Sequence, residues 1–337
     1  MPPSNSWIRL HPLSEASDDA AVAALTMPLD NRGLAYGDGF FTTMGVIDGL
    51  ILWSDYHQQR LDSHADALQL DIDSQALLAT LQTQAKQLQQ GMLKLIVTRA
   101  AQDVRGYGYA PSTSGSACEV WLKSSAMPIA TAEQLRLSNG RLVPLQLMTS
   151  ATCLSSQLAC LPPPLAGLKS LNRLDNVLAS AELQRVKAQT LKSNPFLLAN
   201  HLSASVESNI GEGLLRDMSG HWVEGTMSNV FYQLSELPFV KSSNPPRLQN
   251  NSNYLSTGQW YTPSMAQSGV AGVMRQVLIA GLSRTEQPVI IRSLSDEDLP
   301  HLSQLFFCNA LRGIMPMSSL KLLSGEVVGF KSQKNID

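Results

Sequence analysis

The chain has 337 residues, 44% of them hydrophobic, and a formal net charge of −2. That length buries a large core and lies near the size at which one core divides into two, and the near-neutral balance with no Lys/Arg run excludes a polyanion-binding surface as the basis of function. The start, Met1-Pro2-Pro3-Ser4-Asn5-Ser6, lacks a basic segment followed by an apolar one, and no run of about 18 apolar residues occurs, so a cytoplasmic protein with no membrane contact is expected. Cys118, Cys153, Cys160 and Cys308 lack paired Cys-x-x-Cys spacing, which predicts reduced, mostly buried thiols and no metal site.

In chain order, Phe40 to Trp53 predicts a β-hairpin turning at Asp48-Gly49. Ser54 or Asp55 is placed to cap a helix with Leu61, Ala65 and Leu68 as its buried stripe. On that helix His57, Arg60 and His64 recur at spacings of three and four and share a face; His64 is read as solvated. A second helix is expected from Ser74 to Gln90, then strands at Lys94 to Arg99 and Glu119 to Leu122, with Ser124 to Ala130 as the linker region around Pro128. Beyond it, strands are expected near Arg141 to Met148, Gly213 to Asp217, Trp222 to Glu224, Asn229 to Gln233 and Gln304 to Cys308, with helices after Lys169 and after Gly272. Ser193 to Glu212 and Ser242 to Gln259, rich in Ser, Asn, Gly or Pro, read as surface insertions outside the chemistry.

One lysine stands apart. Lys169 follows a proline-rich loop and precedes a segment in which Leu171, Leu174, Leu178 and Ala181 fall at helical spacing. A helix burying that stripe would hold Lys169 on a rigid platform. A partly desolvated primary amine is what attack on a carbonyl carbon requires; a solvated surface lysine is the alternative.

Around Lys169-Ser170-Leu171-Asn172-Arg173-Leu174-Asp175-Asn176-Val177-Leu178 stand five further motifs. Upstream are Asn31-Arg32-Gly33-Leu34-Ala35-Tyr36-Gly37-Asp38-Gly39-Phe40-Phe41-Thr42-Thr43 and Asp55-Tyr56-His57-Gln58-Gln59-Arg60-Leu61; downstream are Glu224-Gly225-Thr226-Met227-Ser228-Asn229 and Gly272-Val273-Met274-Arg275-Gln276, then Cys308-Asn309-Ala310-Leu311. In that order, over roughly residues 30 to 318, the chain resembles the fold-type IV pyridoxal-phosphate enzymes. That group holds branched-chain and D-amino-acid aminotransferases and aminodeoxychorismate lyase, and the lysine, Gly-Asp-Gly-Phe-Phe-Thr-Thr, Val-Met-Arg-Gln and Cys-Asn-Ala-Leu segments are most similar to the lyase branch.

The resemblance implies an α+β, mixed α/β chain of two domains with the D-amino-acid aminotransferase-like fold: a smaller N-terminal domain over 1–125, a linker over 126–132, and a larger domain over 133–337 carrying the lysine. It implies pyridoxal 5'-phosphate as cofactor, with Lys169 as the Schiff-base lysine and Glu224 as the acid on the pyridine nitrogen. Arg60, the backbone amides of Val273 and Met274 and the side chain of Asn309 would cradle the phosphate, Gly272 opening a helix whose N-terminus favours anions. Neither His57 nor His64 is given a catalytic role. For the substrate, Arg105 in the Arg105-Gly106-Tyr107-Gly108-Tyr109 loop and Arg99 could bind a carboxylate through two parallel hydrogen bonds, with Tyr36 and Thr43 as pocket residues; surface arginines are the alternative for both.

The implied reaction is elimination from 4-amino-4-deoxychorismate to 4-aminobenzoate and pyruvate in folate biosynthesis, catalysed by a homodimer with no nucleic-acid partner. An aminotransferase of the same fold is the alternative, although Thr42 follows Phe41 where those enzymes commonly place a glutamate. A catalytically idle pyridoxal-phosphate-binding protein is a third reading.

Overall fold

The structure is a computed structural model that describes residues 7–11, 27–110, 115, 117–129, 133–137, 139–192, 210–235, 255, 258–283 and 287–330. It divides into two compact units: Met1–Ile129 with Leu168–Arg173, and Ala130–Gly167 with Leu174–Asp337. The segment carrying Lys169 therefore belongs to the first unit, whereas the sequence reading places it in the second domain. Within the expected linker, Ala126 still closes a strand and Ile129 is buried, while 130–132 lie outside the described residues.

In the first unit, β1 (Trp7–His11) and α1 (Arg32–Tyr36) precede a hairpin of β2 (Gly39–Ile47) and β3 (Leu50–Ile51), followed by α2 (Ser54–Leu68), α3 (Ser74–Leu88), β4 (Gly91–Arg99) and β5 (Cys118–Ala126). The hairpin turns at Asp48 and Gly49 with φ of 52° and 70°, the doubly left-handed geometry that matches strand twist in a two-residue loop. Among the described residues the strands form an antiparallel sheet in the order β1-β5-β4-β2-β3. Its core joins alternate β2, β4 and β5 residues (Phe40, Met44, Leu93, Leu95, Val97, Val120, Leu122) to Leu61 and Ala65 of α2 and Leu81 and Ala85 of α3. Neither Ser54 nor Asp55 caps α2: its N-cap is Trp53, left-handed at φ 58°, and no side chain bonds the helix end.

The second unit runs β6 (Glu133–Arg136), β7 (Leu142–Leu145), β8 (Thr149–Leu158), α4 (Leu174–Lys192), β9 (Ile210–Asp217), β10 (Trp222–Gly225), β11 (Asn229–Leu234), β12 (Tyr261–Thr262), α5 (Val273–Leu282), β13 (Ile290–Ile291), β14 (Leu302–Asn309), β15 (Gly313–Lys321) and β16 (Val327–Gly329). Successive pairings β8-β9-β10-β11-β14-β15 return to β8 and close a ring, which leaves those strands no free edge. Ala151, Cys153, Leu214, Trp222, Val230, Tyr232, Phe307, Met315 and Leu320 pack as its core. Among the described residues no helix is long and apolar enough to cross a membrane.

Three expectations are corrected here. The strand expected at Arg141 to Met148 ends at Leu145, and a ten-residue strand, β8, follows it. The 174/178/181 stripe of α4 is not the buried one: Leu174 is 76% and Leu178 64% exposed, while Ala179 and Leu183 pack against Leu154, Leu158, Leu215 and Val223. The predicted insertion from Ser193 to Glu212 reaches too far, because Ile210 to Glu212 are already β9; 193–209 lie outside the described residues, as does most of Ser242 to Gln259.

Candidate active site

Lys169 is held by a sheet edge and a helix side chain rather than by the following helix, which starts five residues later at Leu174. Ser170 bridges Phe40 in antiparallel register, the Phe41 N–H donates to the Lys169 carbonyl at 3.0 Å, and the Leu171 N–H donates to the Gly39 carbonyl at 3.0 Å. The Lys169 N–H donates to Nε2 of His64 at 2.9 Å. Its side chain is half-buried, with Nζ 4.6 Å from the centre of the Phe41 ring, so an aromatic face accompanies the amine. Lys94 of β4, which the sequence reading did not single out, places its Nζ 5.4 Å from the same ring.

Arg60 and His64 are both buried on the inner face of α2, and the solvated reading of His64 is thereby corrected. An amide can only donate, so Nε2 of His64 accepts and its ring proton sits on Nδ1, directed to Ser63 Oγ at 3.2 Å. Burial first, then the charges of Arg60 and Lys169, hold the His64 pKa down to about 3, which keeps that acceptor unprotonated. Burial also lowers Arg60, to about 10, leaving it charged near neutrality. Arg60 Nη1 donates to Thr42 Oγ1 at 3.5 Å, and Thr42 lies 2.9 Å from His57 Nδ1. His57 is fully buried and its pKa lies well below the ordinary value because of desolvation and Arg60.

The remaining candidates of this unit separate. Arg99 is structural: its donors go to Asp38 Oδ2 at 2.9 Å and to the Gln69 and Leu68 carbonyls ending α2 at 3.1 and 2.6 Å, and its guanidinium lies 3.8 Å from the Tyr109 ring centre. Arg105 is exposed on its loop. Arg32 grips that loop, donating to the carbonyls of Gly106, Tyr107 and Gly108 at 3.3, 3.1 and 3.1 Å and to Asp38 at 2.9 Å. Tyr36 completes the grip with its ring 5.2 Å from that of Tyr107. Thr43 is half-buried and two residues from Phe41 on β2, hence on the same sheet face.

In the second unit, Glu224 is the penultimate residue of β10 and is buried. Its Oε2 accepts the Val270 N–H at 2.8 Å, and Asn176 Nδ2 lies 3.4 Å from Oε1. The turn after it is pinned by Glu212, which accepts the Thr226 amide and hydroxyl and the Ser228 hydroxyl. Val273 and Met274 open α5 behind Gly272, whose end carries no side-chain cap; the first amides of a helix have no partner within it and favour anions. A Cβ on Gly272 would collide with the Asn229 amide oxygen. Asn309 is half-buried; its Oδ1 accepts the Leu311 and Arg312 amides at 3.1 and 2.8 Å and its Nδ2 donates to the Met227 carbonyl at 3.3 Å, which ties two loops near the end of β14.

Sequence comparison matches the amino-transferase class IV family over residues 39–320. An aminodeoxychorismate lyase of Vibrio harveyi is 24% identical over 299 residues, 87% of each chain. A Methanocaldococcus jannaschii protein assigned as a branched-chain-amino-acid aminotransferase is 24% identical over 312 residues, 90% of this chain and 86% of that one. Among solved structures, the 4-amino-4-deoxychorismate lyase of Pseudomonas aeruginosa shares 29% identity and a TM-score of 0.65, with 92% of each chain covered. The mixed α/β architecture described above is the fold-type IV fold, and the chain belongs to the amino-transferase class IV family.

Proposed function

We propose that this protein is a pyridoxal-phosphate-dependent lyase that converts 4-amino-4-deoxychorismate into 4-aminobenzoate and pyruvate. The residues fit what the cofactor demands: an amine, an acid and an anion cradle. Lys169 is a half-buried amine on a clamped backbone, Glu224 a buried carboxylate, and α5 an uncapped helix N-terminus behind a glycine that admits no Cβ. Arg60 adds a buried cation, and Asn309 an amide, for the phosphate. The clamped Lys169 is the observation that carries the reading. The similarity to two lyases supports the choice of reaction.

When bound, the cofactor supplies a pyridinium ring that withdraws the electron pair left by proton removal. Glu224 holds the proton on the ring nitrogen. The Lys169 amine takes the proton from the substrate carbon bearing nitrogen and returns one to the enolpyruvyl oxygen as the carbon–oxygen bond breaks. The carbocycle becomes aromatic and the released enol becomes pyruvate, with no net oxidation. Arg105 and Lys94 are cations available to the two substrate carboxylates.

Borohydride reduction of the loaded protein, followed by a tryptic mass map, tests the lysine: the adduct belongs on Lys169, and an adduct on another lysine would refute it. Lys169→Ala should lower turnover by at least the ~10²–10⁴-fold typical of a lost proton carrier. The aminotransferase reading is favoured by the equal identity to the Methanocaldococcus jannaschii protein, and it differs in requiring a 2-oxo acid for continued turnover. Exposed Leu174, Val177 and Leu178 support a homodimer by offering a second copy an apolar surface; unchanged sedimentation of Leu178→Asp would remove that support.

A further inference from the structure

We propose that His64 is a positioning residue for Lys169, fixing the backbone from which the reactive amine projects. The inference rests on Lys169 being the cofactor lysine. Both polar groups of the Lys169 main chain are engaged, each by a different element: the N–H by His64 Nε2 of α2 at 2.9 Å, and the carbonyl by the Phe41 N–H of β2 at 3.0 Å. The same two β2 neighbours secure the side chains. Phe40 packs edge-on against the His64 ring at 5.3 Å, and the Phe41 ring lies 4.6 Å from Lys169 Nζ.

His64 is itself held. Its Nδ1–H is directed to Ser63 Oγ at 3.2 Å, and the Ser63 hydroxyl donates to the Arg60 carbonyl one helical turn back at 3.2 Å. The ring is buried beside two cations, Arg60 and Lys169. A protonated ring would offer only donors to an amide that also donates. Burial and the two neighbouring charges keep it in the accepting form. Without that acceptor the Lys169 main chain keeps its carbonyl bond to β2 but loses the bond at its N–H, and the amine samples more orientations before meeting an aldehyde.

The test uses the full-length, cofactor-free protein, to which pyridoxal phosphate is added while the lysine-bound absorbance is followed and the borohydride-fixed Lys169 adduct is quantified. His64→Gln keeps an acceptor at the reach of Nε2; His64→Leu keeps the volume without it. The glutamine variant should form the adduct within about twofold of the wild-type rate, and the leucine variant about tenfold more slowly, equivalent to ~1.4 kcal/mol. Pyridoxine phosphate, which has no aldehyde, should bind all three proteins equally and so reports an intact pocket. If the leucine variant does not fold, His64→Ala replaces it in the same comparison. A leucine variant as fast as wild type overturns the inference, as does equal slowing of both variants or a matching loss of pyridoxine phosphate affinity. A wild-type protein that forms no Lys169 adduct overturns the cofactor reading itself, and is told apart because no variant is needed to see it.

Discussion

Glu212 Oε1 accepts both the peptide N–H of Thr226, at 3.1 Å, and its hydroxyl, at 2.6 Å. Its Oε2 accepts the Ser228 hydroxyl at 2.7 Å, so one buried carboxylate organises the turn between Glu224 and Asn229.

Glu212→Ala should therefore leave four donors without this acceptor, the three of the turn and the Gly213 N–H, which donates to Oε1 at 3.0 Å. Each orphaned buried group costs about 1–3 kcal/mol, and a loss of roughly 3 kcal/mol or more is expected in urea unfolding of the cofactor-free protein. A loss below about 1 kcal/mol would show that the turn holds its shape without the carboxylate.

Arg32 should control the order of the Arg105 loop. Arg32→Ala removes the guanidinium bonds to three loop carbonyls, and exposed Arg105 should then be cut by trypsin at least several-fold faster. Arg32→Lys should not restore protection, because a single ammonium cannot reproduce the planar fork. Unchanged cleavage of both variants would contradict this role.

His64 ties stability to pH in a predictable direction. Its pKa is about 3 in the folded protein, against about 6.5 in an unfolded chain. Between those values the unfolded chain binds the extra proton, so the folded state loses stability as pH falls through that window, by up to ~1.4 kcal/mol per pH unit. His64→Gln removes this contribution while all other groups still titrate. The gap in unfolding free energy between wild type and variant should move in favour of the variant from pH 7 to pH 5; a gap independent of pH would show that His64 titrates normally.

Glu224→Gln and Arg60→Ala should differ in kind. The amide cannot hold a proton on the ring nitrogen, so Glu224→Gln should bind cofactor and lose mainly kcat. Arg60→Ala should weaken cofactor binding by roughly 1.5–3 kcal/mol, the worth of a charge-assisted contact, and recover when pyridoxal phosphate is added in excess. Recovery of the glutamine variant instead would exchange the two roles.

The sequence was most legible where local chemistry decides structure. Asp48-Gly49 dictates its turn by backbone freedom, and Leu61 and Ala65 recur at the period of a half-buried helix. It misled where the surroundings decide. β8 reads Thr-Ser-Ala-Thr-Cys-Leu with consecutive buried residues, because neighbours cover both of its faces, and no alternation marks it. α4 carries two apolar rows, and packing buries the row of Ala179 and Leu183 rather than the leucines that look more hydrophobic. His64 shares a helix face with Arg60, yet only the return of the chain at Lys169 gives its Nε2 a donor. Arg99 and Arg32 illustrate the same limit: composition offers two arginines near a loop, and only geometry shows that Arg99 ends a helix while Arg32 holds the loop.

The lyase claim is tested most directly by supplying 4-amino-4-deoxychorismate to the loaded enzyme with no 2-oxo acid present and measuring both products over many turnovers. Elimination leaves the cofactor's oxidation state unchanged, so 4-aminobenzoate and pyruvate should accumulate in equal amounts far beyond one equivalent per site. Product formation that stops near one equivalent and resumes only when 2-oxoglutarate is added would contradict the account and establish an aminotransferase.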